Sequence, residues 1–228
     1  MESLPADSTA GFAIGTNGYR PLPSGRHALP EGVVARDQKA RLERAILELV
    51  GDAGYAEVAV KDVLARAGTS RRVFYAHYAD KADCFQTAYL NRTEELEKRV
   101  TAASAETVGF ASRVQAALTE IAAALDEDRS IARALLIEVH AAGARALSAR
   151  RRVMTRAADG LRALAGQEVD ESAPGSTVVA EGVLGGLEQS ARAVLAREDP
   201  APLAELVGEF TQFVCLVCQP RVPEGAAS

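Results

Sequence analysis

The residues best suited to chemistry are Arg71 and Arg72, preceded by Thr69 and Ser70 and followed by Tyr75, His77, Tyr78 and Lys81. Two adjacent guanidiniums, flanked by hydroxyls and interleaved with aromatic rings, make a short basic surface of the kind that enters a groove of nucleic acid. Guanidinium pairs well with the O6 and N7 acceptors of guanine, so Arg71 and Arg72 are the candidates for reading base edges. Thr69, Ser70, Tyr75, His77, Tyr78 and Lys81 are the candidates for holding phosphates, or for building the helix that does.

The chain around these residues carries the signals needed to position them. Val60, Val63, Leu64 and Ala67 recur at spacings of three and four, which predicts a short supporting helix with Lys61, Asp62 and Arg66 facing water. Gly68 follows the last apolar position, where a helix commonly ends in a left-handed residue. Ser70 suits the N-cap of the next helix. In that helix Val73, Phe74 and Tyr78 can turn inward and leave the arginines outside. Val58 to Tyr78 therefore reads as a helix-turn-helix, its motif at about 58–77.

The order and spacing of Arg41 Leu42, Ala45 Ile46, Leu49 Val50, Gly54 Tyr55, Val60, Val63, Ala67 Gly68 Thr69 Ser70, Phe74 Tyr75, His77 Tyr78 and Lys81 resemble the N-terminal domain of TetR-family transcriptional repressors. The resemblance covers about fifty residues closely. It departs at Val58 and Ala59, where the family usually has two threonines that cap the supporting helix and touch phosphate, and at Leu64, where Ala is usual. It implies a homodimer on a palindromic operator, and an inducer held between helices of a second domain that changes the separation of the two DNA-binding units.

Composition agrees with an all-α fold. A hydrophobic share of 48% with 5% aromatics and no Trp describes an Ala, Leu and Val interior, which favours helix packing. The net charge is -5, yet residues 20–81 hold 11 basic and 8 acidic side chains while residues 82–228 hold 15 and 21. A mildly basic front end on an acidic body fits a protein that turns one face to DNA.

Enzymatic readings lack parts. There is no Gly-rich phosphate loop, no His-Glu metal motif and no Ser, His and Asp set at recognisable spacing, and the only histidines are His27, His77 and His140. Cys84, Cys215 and Cys218 are expected to be reduced, buried thiols rather than zinc ligands, which come in about fours. Neither a metal nor a cofactor is expected. No apolar run reaches the roughly 18 residues of a membrane span, so the expected compartment is the cytoplasm.

Residues 1–31 are rich in Gly, Pro, Ser and Thr and read as a flexible arm, with Arg26 near its end as a candidate for a minor groove. Residues 32–84 form the expected helix-turn-helix domain and 85–228 a ligand-binding and dimerisation domain. A first helix from Val33 to Ala53 supports the motif, and a fourth from Asp80 to Ala105 links the motif to the rest. Five more stretches, Phe110 to Leu125, Ser130 to Ala142, Ala144 to Ala165, Thr177 to Ala196 and Leu203 to Val217, bring the expected total to about nine helices. The last two carry long apolar stripes that suit a four-helix dimer interface, with Gly182, Gly185 and Gly186 allowing close approach. Glu138 and His140 are the polar candidates for a small-molecule pocket, and Arg150, Arg151 and Arg152 read as a solvated helix face.

Two functions fit these observations. One is a DNA-binding regulator, a repressor released by a small ligand. The other is a helical ligand-binding or protein-interaction module whose helix-turn-helix no longer binds DNA, which the missing threonines favour.

Overall fold

The computed structural model describes residues 31–165 and 174–218. The expectations for the arm at residues 1–31, Arg26 included, and for the loop at 166–175 fall wholly or almost wholly outside these residues. Among the described residues the fold is all-α: α1 (Glu31–Ala53), α2 (Val60–Ala67), α3 (Arg71–His77), α4 (Lys81–Ala105), α5 (Phe110–Glu127), α6 (Arg129–Leu136), α7 (Ala144–Leu164), α8 (Pro174–Leu195) and α9 (Val207–Val217). Short 3-10 turns at Glu138–His140 and Leu203–Leu206 complete it. None of these helices is long and apolar enough to cross a membrane.

Helix ends fall where side chains can satisfy them. The Asp80 carboxylate accepts from the Asp83 N–H at 2.7 Å and starts α4, and the Asp128 carboxylate accepts from the Ile131 N–H at 3.1 Å and starts α6. Gly109 and Gly143 precede α5 and α7 at φ 90° and 87°, a left-handed region that disfavours side chains. Two expected helices begin or end as tighter turns. The stretch predicted as Ser130 to Ala142 stops at Leu136 and continues as the turn Glu138–His140, because Glu138 is drawn aside to accept from the Tyr55 N–H at 2.9 Å. The stretch predicted as Leu203 to Val217 opens with the turn Leu203–Leu206, whose N–H groups at 203 and 204 donate to the Asp126 carboxylate at 3.0 and 3.1 Å.

One apolar core joins the helix-turn-helix to the rest. Leu42, Ile46 and Val50 of α1 pack with Val63, Phe74 and Tyr78, and continue through Phe85 and Tyr89 of α4 to Ile131, Leu135 and Val139. A smaller cluster gathers Val114, Leu161, Val183 and Val214 from α5, α7, α8 and α9. The predicted stripe of α8 and α9 therefore divides. Val183, Ala191, Val194, Leu195, Val207 and Val214 bury against their own chain, while Val178, Val179, Phe213, Leu216 and Val217 stay exposed.

Helices α1 and α6 approach closely enough to touch backbone to backbone. Gly51 is buried with the Ser130 carbonyl lying where its Cβ would be, so only glycine fits. Around it Ser130 Oγ donates to the Asp52 carboxylate, and Arg133 donates from Nε to the Gly51 carbonyl at 3.1 Å and from Nη1 to the Leu195 carbonyl at 3.0 Å. Overpacking at this point forces the two helices apart. Gly51→Ala is expected to lower the unfolding free energy by about 2 kcal/mol or more, measured by urea denaturation at fixed protomer concentration.

Candidate nucleic-acid interface

The supporting helix α2 is short, and its ends depend on neighbours. Val63 and Ala67 face the core, and Gly68 closes the helix at φ 59°, ψ 44°. Arg41 of α1 reaches across to donate from Nη1 to the Ala67 carbonyl at 3.0 Å, satisfying one of the last acceptors of α2. At the other end Ala59 is the N-cap and has no side-chain acceptor to offer. Only half a capping box forms, with the Asp62 carboxylate accepting from the Ala59 N–H at 2.9 Å. Val58, the other departure from the threonine pair, is buried in the core.

Helix α3 begins at Ser70, whose Oγ accepts from the Val73 N–H at 3.3 Å. Phe74 is completely buried, with the Tyr75 and Tyr78 rings against it at 5.3 and 5.6 Å. The anchored side leaves the opposite side bare: Arg71, Arg72 and Ala76 are exposed, Tyr75 is 51% exposed, and Thr69 and His77 are half-buried. Neither Arg71 nor Arg72 meets a carboxylate among the described residues, so both guanidiniums keep all their donors for an outside partner. Thr69, Ser70, Arg71, Arg72, Tyr75 and His77 thus lie together along the turn and the outer side of one short helix.

Two of the candidates, Tyr78 and Lys81, help to build the motif, the second of the two roles expected of them. Tyr78 is buried, and its hydroxyl donates to Glu43 Oε1 at 2.8 Å, while Asn91 Nδ2 donates to both oxygens of the same carboxylate at 3.0 and 2.9 Å. Burial, and then Glu43, push the Tyr78 phenol well above its ordinary pKa. Tyr78 therefore locks α3 to α1. Lys81 lies over the Tyr55 ring at 4.1 Å and donates to the carbonyls of Tyr55 and Val58 at 2.8 and 2.7 Å. Two of its three N–H groups are thereby committed to the turn before α2, and burial lowers its pKa. Sequence order does not expose these partners, which stand 35 residues from Tyr78 and 26 and 23 from Lys81.

The two pocket candidates separate as well. Glu138 faces the helix-turn-helix, holding the Tyr55 N–H. His140 Nε2 lies 3.3 Å from Glu188 Oε1, and Arg150 binds both oxygens of that carboxylate. Arg150 is accordingly not part of a solvated face. The turn Glu138–His140 thus bridges the segment before α2 and the half-buried Glu188 on α8. The thiols are free, with Cys84 and Cys218 buried and Cys215 half-buried.

Residues 44–88 match the family model of bacterial regulatory proteins, tetR family. That stretch runs from within α1 to within α4 and contains α2 and α3 complete. No curated protein matches the chain by sequence. Among solved structures, the fatty acid degradation regulator FadR from Bacillus halodurans superimposes with a TM-score of 0.69 at 14% identity, covering 78% of this chain and 94% of its own. The transcriptional regulator FadR from Bacillus subtilis, in complex with stearoyl-CoA, gives 0.69 at 12% identity over 77% and 96%. A tetR-family transcriptional regulator from Streptomyces coelicolor gives 0.66 at 17% over 80% of each chain. At these identities the likeness is one of fold, and the fold is that of tetR-family transcriptional regulators.

Supplying the missing cap tests the account of α2. Ala59→Thr is expected to raise the unfolding free energy by about 1 kcal/mol. Lys81→Met is expected to lower it by about 2 kcal/mol through the orphaned carbonyls, whereas Arg71→Ala should stay within about 0.5 kcal/mol of the parent. Thermal and urea melts of the three variants separate these outcomes.

Proposed function

We propose that this chain, a tetR-family protein by its N-terminal domain, is a transcriptional regulator that binds a palindromic operator as a homodimer and is released from it by a small ligand. The observation that carries the reading is the outer side of α3, where Arg71 and Arg72 stand exposed and unneutralised beside Tyr75 on a helix anchored through Phe74. Arg71 and Arg72 read base edges, and Thr69, Ser70, Tyr75 and His77 seat the helix against phosphates. Lys81 contributes mainly by holding the turn before α2 in place.

Dimerisation follows from the mechanics of the site. Two recognition helices must reach successive major grooves about 34–36 Å apart. The exposed Val178, Val179, Phe213, Leu216 and Val217, on the faces of α8 and α9 left free by their own chain, supply the apolar contact. The effector is an amphipathic molecule held between helices of the C-terminal domain, a class to which the stearoyl-CoA of the Bacillus subtilis neighbour belongs. The turn Glu138–His140 and α4 carry its effect to the helix-turn-helix. Ligand and operator then oppose each other by the same factor, whichever binds first. A second reading, a helical ligand-binding or interaction module without sequence-specific DNA binding, is favoured by one observation, the uncapped start of α2 at Ala59.

Selection of bound duplexes from a random DNA pool by the full-length protein decides between the two. The expected outcome is an enriched inverted repeat, with Arg71→Ala relaxing preference at one position in each half-site. Failure to enrich any sequence at moderate salt would support the second reading. In light scattering the parent should be dimeric at micromolar concentration and Leu216→Asp should shift it towards monomer; a dimer unaffected by the change would move the interface elsewhere.

A further inference from the structure

Ser148, Arg151, Arg152, Thr155 and Arg156 line a single depression on the surface of α7. Their spacing of three, four, seven and eight residues puts them on one side of the helix. Two hydroxyls and three guanidiniums therefore border one shallow, open depression.

The charge there is only partly neutralised. Arg156 Nε is 3.0 Å from Glu97 of α4, with 42% and 48% of the two side chains exposed. Glu94, one turn earlier, is taken by Lys98 at 2.8 Å. Arg151 and Arg152 are exposed and meet no carboxylate among the described residues, unlike Arg145 with Asp80 and Arg150 with Glu188 on the same helix. A chain of net charge -5 thus keeps two adjacent bare guanidiniums at two places, on α3 and on α7. The second place lies on another helix: Arg151 and Arg152 stand roughly 10 Å along α7 from Arg145, the partner of Asp80, at 1.5 Å per residue.

We propose that this depression is a subsite for a phosphate-bearing small molecule. A guanidinium fork matches two phosphate oxygens at once, and adjacent hydroxyls add donors to a group that has only acceptors to offer. Arg151 and Arg152 supply the charge, Ser148 and Thr155 the hydroxyls, and Arg156 is shared between Glu97 and the ligand. That the phosphate belongs to the effector rests on the reading of the C-terminal domain as effector-binding.

The test is calorimetric titration of the full-length protein and of the double variant Arg151→Gln/Arg152→Gln with inorganic pyrophosphate and with coenzyme A. Flotation with vesicles of phosphatidylglycerol and a duplex-binding assay run alongside. The expected result is binding of both soluble probes to the parent, weakened about tenfold or more in the variant, with thermal stability and duplex affinity unchanged. No binding of either probe to the parent at millimolar concentration, or equal binding by the variant, would overturn the proposal. Binding to the vesicles alone would overturn it in favour of a lipid surface, and a loss of duplex affinity in the variant would overturn it in favour of a second nucleic-acid contact. Coenzyme A binding that leaves operator affinity unchanged supports the subsite and separates it from the effector role.

Discussion

The contact on which the other positions depend is the meeting of α1 and α6 at Gly51. Backbone lies against backbone there, which removes the slack that side chains normally provide between helices. Arg133 extends the joint, since one guanidinium donates to the carbonyl of Gly51 near the end of α1 and to that of Leu195 at the end of α8. Cations at helix C-termini are favoured by the carbonyls left without partners and by the helix dipole. Three helices from distant parts of the sequence therefore share one fixed point, and it lies at the end of the helix that supports the helix-turn-helix.

From that point the constraint passes to the turn before α2. The backbone of this segment is gripped from two sides, with Lys81 of α4 on the Tyr55 and Val58 carbonyls and Glu138 on the Tyr55 N–H. Tyr55 itself packs edge-on against Phe85 at 5.3 Å. A helix of eight residues with no capping side chain at its start has little stability of its own. Its placement is set by these outside contacts, so a shift of α4 or of the turn Glu138–His140 is felt directly at α2 and α3. The same turn ends in His140 beside Glu188, which gives the C-terminal helices a short physical route to the motif.

The sequence was most legible where the signals are local. Gly68, Ser70 and Asp80 mark helix ends through their own backbone or side-chain chemistry, and each does so in the structure. The apolar spacing of α1 and the inward Phe74 follow from helical periodicity in the same way. What stayed hidden were partners distant in sequence. Tyr78 has the residue type of a phosphate contact, and only the approach of Glu43 and Asn91 turns it into a core lock. Glu138 and His140, two residues apart, read as one polar site, but a change from α-helix to a tighter turn sends them to different neighbours. The apolar stripes of α8 and α9 were visible, whereas their division into inner and outer residues needed the placement of α5 and α7.

Helix α3 keeps its buried anchors and its exposed polar surface on different residues. Phe74 and Tyr78, with Ser70 at the start, hold the helix, while Arg71, Arg72 and Ala76 carry almost none of its packing. Those outer positions can therefore change in residue type without rebuilding the scaffold beneath them. In a lineage built on this fold, the chemistry that α3 presents can drift one exposed side chain at a time while the stability of the fold stays intact.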